Sequence, residues 1–175
     1  MSSVRILYDN DFNLANIKLP NYDVYLSKSP LIEDYHFIAC AGGILIVTDL
    51  CDNNFCVHPS SGIVDIYCIM KFLSEDSRES ISYCIEELYT VNEFDDEYCV
   101  TINREFNSSK EMIRLKSNNQ KHGYIFDLLD FKHSIVEFSQ ELIDRILIVF
   151  PSFIISPIKE EIDEMRQKIS IALSS

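Results

Sequence analysis

Val4 to Tyr8 and Tyr22 to Leu26 cluster or alternate β-branched and aromatic residues between Asp, Asn, Pro and Ser, a pattern that predicts two strands. Pro20-Asn21 marks a turn before the second. Ile44 to Thr48 (ILIVT) follows Gly42-Gly43 and is rich in β-branched residues, which suits a central strand buried on both faces. Gly62 to Leu73 fits strand and helix alike. Between Ser77 and Tyr89, Ile81, Cys84, Ile85 and Leu88 recur at three- and four-residue steps while Glu79, Glu86 and Glu87 fall elsewhere, so an amphipathic helix is expected there.

The period then shortens. Tyr98 to Phe106, Met112 to Leu115 and Tyr124 to Leu129 are β-type runs separated by Asn, Ser, Lys and Gly, which predicts an antiparallel meander. Beyond it Ile135, Phe138, Leu142, Ile146 and Val149 step by three and four, and Ser134 with Glu137 forms a capping box at the expected helix start. Pro151 ends that helix. Ser156 as N-cap and Pro157 at the first helical position open another, whose apolar stripe is Ile158, Ile162, Met165 and Ile169 with Ala172 or Leu173. Glu160, Glu161, Asp163, Glu164, Arg166 and Lys168 cover the rest, so this last helix is expected to pack by one seam at the periphery. The order of elements predicts an α+β fold, mainly antiparallel sheet packed with helices, two of them C-terminal, in a single domain over residues 1–175.

Composition agrees with a folded chain. Of its 175 residues 47% are hydrophobic and 25% charged, ordinary globular usage that excludes a disordered tail. The longest uncharged apolar stretches, residues 37–48 and 146–158, fall short of the roughly 18 to 20 residues that span a bilayer, and Pro151 breaks the second. The opening MSSVRILYDNDFN lacks the pattern of a secretory signal, so a cytoplasmic protein is expected.

Charge separates the regions of the chain. The formal net charge is −13. Residues 29–103 hold Glu33, Asp34, Asp49, Asp52, Asp65, Glu75, Asp76, Glu79, Glu86, Glu87, Glu93, Asp95, Asp96 and Glu97 against Lys71 and Arg78 alone. Residues 104–123 reverse the balance, with five bases to two acids. Such a field repels nucleic acid and anionic lipid and speeds the encounter with a basic partner; the bland alternative is that the acids only keep the chain soluble.

Chemistry-bearing motifs are few. Gly42 and Gly43 are adjacent but are not followed by Lys-Ser or Lys-Thr, so no phosphate-cradling loop is indicated. Asp9, Asp11 and Asn13 imitate a calcium loop, but Leu14 stands where the sharp turn wants Gly and Pro20 where a bidentate Glu is needed. Cys51, Cys56 and His58 are the nearest approach to a zinc site, without the second closely spaced pair such sites show. The six cysteines, Cys40, Cys51, Cys56, Cys68, Cys84 and Cys99, are expected to be free thiols. His36, His58, His122 and His133 stand outside any catalytic motif, and the chain is read as a non-enzyme without metal or cofactor, the alternative being a Cys/His-dependent hydrolase or transferase.

The segment from Glu86 to Tyr98 is the candidate binding site. Glu86, Glu87, Glu93, Asp95, Asp96 and Glu97 supply six acids without a base, and Tyr89, Phe94 and Tyr98 are interleaved with them. Aromatic rings anchor interfaces and carboxylates pair Lys and Arg, so the mixture suits a basic protein partner; a solvated loop with core-directed rings fits the same residues.

A small acidic α+β chain with free cysteines, no catalytic signature, an acid excess from Glu33 to Glu97 and the loop EFDDEY at Glu93 to Tyr98 resembles bacterial toxin-immunity proteins. Those of contact-dependent growth inhibition systems are included, and the resemblance is one of class. It implies an inhibitor that binds a cognate basic toxin, often a nuclease, by plugging its active site or covering an adjacent surface. The alternative partner-binding reading is a small acidic regulatory module that mimics nucleic-acid charge.

Overall fold

The computed structural model describes residues 4–8, 44–48, 51–56, 62–75, 80–84, 99–107, 109–117, 123–149 and 151–174. In chain order they form β1 (Val4–Tyr8), β2 (Ile44–Thr48), β3 (Cys51–Cys56), α1 (Gly62–Ser74), β4 (Ser80–Cys84), β5 (Cys99–Asn107), β6 (Lys110–Ser117) and β7 (Tyr124–Asp127). α2 (Leu128–Val149), a 3-10 turn (Pro151–Ile155) and α3 (Pro157–Leu173) follow. The architecture is α+β. β1, β2 and β3 make one antiparallel sheet in that order, with β2 central, and β4 to β7 make a four-stranded antiparallel meander.

α2 joins the layers. It packs against β1, β6 and β7 as well as α1 and α3, and its Phe131, Ile135, Phe138, Leu142, Ile143 and Ile146 are all buried. They belong to one hydrophobic cluster with Val4 and Ile6 of β1, Val100 and Ile102 of β5, Ile113 and Leu115 of β6 and Phe126 of β7. Ile158, Ile162, Met165 and Ile169 of α3 complete that cluster, so the predicted seam is the buried one, and it meets both α1 and α2. Tyr67 of α1 donates its hydroxyl to Glu161 of α3, adding a polar tie between these two helices.

Several sequence expectations are corrected. The helix expected over Ser77 to Tyr89 is a strand where it is described: β4 pairs with β5 at Ile81↔Ile102 and Tyr83↔Val100. Ser80-Ile81-Ser82-Tyr83-Cys84 alternates with period two, and pairing against β5 selects that period over the helical one. Gly62 to Leu73, left open above, is the helix α1; Ile66, Ile69, Met70 and Leu73 recur at helical steps and are buried. β3 was not anticipated. The expected strand Tyr22 to Leu26 and the Pro20-Asn21 turn lie outside the described residues.

The start of α2 is also corrected. Ser134 is not its cap but lies in its second turn, buried, where its hydroxyl donates to the carbonyl of Val4 and ties α2 to β1. The cap is Asp127, whose Oδ1 accepts the N–H of Asp130 at 3.0 Å, and whose Oδ2 lies 3.0 Å from Lys110 Nζ. Burial pushes the Asp127 carboxyl up, but the Asp130 N–H and Lys110 outweigh it and hold the group below its ordinary value. A carboxyl lowered by folding adds stability above its unfolded pKa, and that stability is lost as pH falls through the folded one. Asp127→Ala is therefore expected to cost about 1 kcal/mol at neutral pH, with the difference from wild type shrinking below about pH 4. Asp127→Asn, which can still cap, should keep most of the stability while losing this pH dependence; equal urea midpoints for wild type and Asp127→Ala at neutral pH would refute the cap.

Gly123 enters β7 against β6 so closely that an added Cβ would meet Arg114 Cγ and the Leu115 carbonyl oxygen, each at 2.9 Å. The side-chain atom could move aside, but the β6 backbone is fixed by its ladder, so the approach itself requires glycine.

Candidate interaction surface

The meander ladders fix two ends of the four-stranded sheet. Cys84↔Cys99, Val100↔Ser117 and Leu115↔Tyr124 lie at one end; Ser80↔Asn103, Asn107↔Lys110 and Met112↔Asp127 lie toward the other. Cys84 and Cys99 are the last and first residues of adjacent strands and stand directly opposite each other. The connection 85–98 therefore leaves and returns at a single point on the sheet edge. Glu86, Glu87, Tyr89, Glu93, Phe94, Asp95, Asp96, Glu97 and Tyr98 belong to that connection and lie outside the described residues.

Of the five bases in residues 104–123, Arg104, Lys110 and Arg114 have partners within the fold. Arg104 of β5 sits over the Phe72 ring at 5.3 Å, donates from Nη2 to the Glu75 carbonyl at 3.3 Å and lies 3.6 Å from Glu111. This ties β5 to the C-terminal end of α1, where cations are favoured by the helix dipole. Arg114 of β6 grips Glu105 of β5 with both its Nε and Nη2, the latter at 3.0 Å. The bidentate hydrogen bond holds the Glu105 carboxyl below its ordinary value and raises the guanidinium of Arg114. Lys110 is held by Asp127, as above. Each of these three bases thus meets an acid, Arg104 with Glu111, Lys110 with Asp127 and Arg114 with Glu105.

A second acidic surface emerges from the helices. Glu137, Gln140, Glu141 and Asp144 of α2 face Asp163, Arg166, Gln167 and Ser170 of α3 across an open groove. Asp163 takes Lys159 Nζ at 2.6 Å and also pairs with Arg166, and Glu141 lies 2.8 Å from Arg145. Glu137, Glu141 and Asp144 are exposed. With Lys159 and Arg145 counted beside Arg166, four carboxylates meet three bases, so the groove wall keeps only a small negative excess, and exposed pairs of this kind contribute little to stability. The sequence contained half of this signal: 137, 141 and 144 step by four and three along one helix face. Only the packing of α3 against α2 brings Asp163 and Arg166 to the same groove.

No family model, curated protein or solved structure matches this chain.

The other chemistry candidates are described only in part. Cys51 and Cys56 begin and end β3, and the third member of that set, His58, lies outside the described residues, as do His36 and His122. His133 is exposed on α2 and Cys68 is half-buried on α1. Among the described residues no group of three or more His, Cys, Asp or Glu is placed to hold a metal ion, and no helix is long and apolar enough to cross a membrane. What the described residues offer chemically is exposed carboxylate along the α2–α3 groove, a group that pairs Lys and Arg.

Proposed function

We propose that this chain is a cytoplasmic immunity protein that binds a basic toxin domain, of a nuclease-like kind, and neutralises it through an acidic surface centred on residues 86–98. One observation carries the reading. Six acids and three aromatic residues are concentrated in the sequence between Cys84 and Cys99, and those two residues are register partners in the β4–β5 ladder. Clustering of like charge raises the local field that a basic groove meets.

The reading is tested by capturing partners from the native host on the tagged chain, then assaying the retained protein. A basic domain held one-to-one at moderate salt, released at high salt and stripped of its toxic activity by added chain is the expected result. Retained proteins whose activity is indifferent to the chain, or none retained, would overturn it.

A further inference from the structure

We propose that Cys84 and Cys99 form a reversible dithiol clasp at the base of the 85–98 connection. The two positions are directly opposed in the β4–β5 ladder. Opposed residues of an antiparallel pair have Cα atoms about 4.5 to 5.5 Å apart, inside the window of about 4.4 to 6.8 Å that a disulfide spans. Ser80↔Asn103 is another opposed pair of the same ladder. It is four residues from Cys84 along β4, and because pair types alternate every residue, the two pairs are of the same type. At Ser80 and Asn103 the side chains do meet, Oγ to Oδ1 at 2.5 Å. Two of only six cysteines thus fall on register partners, at the two residues from which a long acidic connection departs.

The chemistry needs an oxidant, and a low-molecular-weight disulfide suffices. The thiolate of one cysteine attacks a sulfur of the small disulfide, releasing one small thiolate and leaving a mixed disulfide on the protein. The second cysteine's thiolate attacks the protein-bound sulfur, forming the Cys84–Cys99 bond and releasing the second small thiolate. Two protein thiols are oxidised, one small disulfide is reduced to two thiols, and the protons of the cysteines end on the released thiolates. Closing the bond makes the chain between Cys84 and Cys99 a covalent ring of 16 residues joined at the end of the β4–β5 ladder. In a reducing compartment such a bond is transient and responsive, not structural. The clasp stands whatever the connection binds.

The test uses the full chain, folded and reduced, exposed to oxidised glutathione, quenched by alkylation and mapped by proteolysis and mass spectrometry. The expected result is loss of two of the six thiols, with Cys84 and Cys99 recovered in one cross-linked peptide that a dithiol reductant releases. Cleavage within 85–98 should then leave the two halves joined until reduction. Cys84→Ser and Cys99→Ser should each abolish the cross-link and accumulate glutathione on the remaining partner. The same oxidation in urea should scatter pairing among the cysteines, which shows that the native ladder selects it. Cys84 and Cys99 both remaining alkylatable in the folded chain, or either pairing with another cysteine, would overturn the proposal.

Discussion

Phe131→Ala is expected to lower the free energy of unfolding by about 3 to 5 kcal/mol, read as a fall in the denaturant midpoint at unchanged slope. Phe131 is fully buried in the first turn of α2, and its ring lies 5.6 Å from that of Phe126 in β7 at an interplanar angle of 42°. Truncation removes the transfer energy of a whole ring and the aromatic pairing with Phe126. The void would also be hard to close, because α2 is held at once by β1, β6, β7, α1 and α3, so no neighbour can move into it without loosening another contact. Against a typical total of about 5 to 15 kcal/mol, such a loss would unfold a large share of the molecules. Phe131→Leu keeps much of the volume and should cost well under half as much. A loss below about 1 kcal/mol for the alanine variant would mean that this junction is not close-packed.

The second large effect concerns the partner. Reversing Glu86, Glu87, Glu93, Asp95, Asp96 and Glu97 to lysine should slow association with the captured basic domain by about 10- to 1000-fold at low ionic strength and flatten its salt dependence. Long-range attraction acts before contact, so the change belongs in the association rate, while Tyr89→Ala, Phe94→Ala and Tyr98→Ala should act on dissociation as anchors do. The two acidic surfaces can be told apart. Reversal of Glu137, Glu141 and Asp144 alters the α2–α3 groove without touching residues 86–97, and its effect on association should be several-fold smaller. If the groove variant slows association and the 86–97 variant does not, the interface lies on the helices and the assignment to the connection fails.

The sequence alone determined those features that local physics decides. β1, β5 and β6 carry β-type runs between turn residues, α3 carries Ser156-Pro157 and a four-residue stripe, and each appears where its pattern predicts; the run expected from Tyr124 to Leu129 is a strand only to Asp127, since Leu128 and Leu129 open α2. The α+β class followed from their order, and the clustering of acids in 86–97 is a property of composition that needs no coordinates. Where two periods fit one short window, the chain could not choose by itself. Ser80 to Cys84 satisfies strand alternation while Ile81, Ile85 and Leu88 satisfy a helix, and only the partner strand, at Ile81↔Ile102, resolved the conflict. Gly62 to Leu73 is apolar on so many sides that amphipathic period is blurred. The start of α2 was misplaced because Ser134 and Glu137 imitate a capping box, while Ser134 instead serves a contact 130 residues away, with Val4. The same limit applies to function. The groove that joins Asp163 to Glu137 and Asp144, and the register that sets Cys84 opposite Cys99, are consequences of long-range packing and pairing, and a linear sequence records neither the neighbour nor the register until the core has formed.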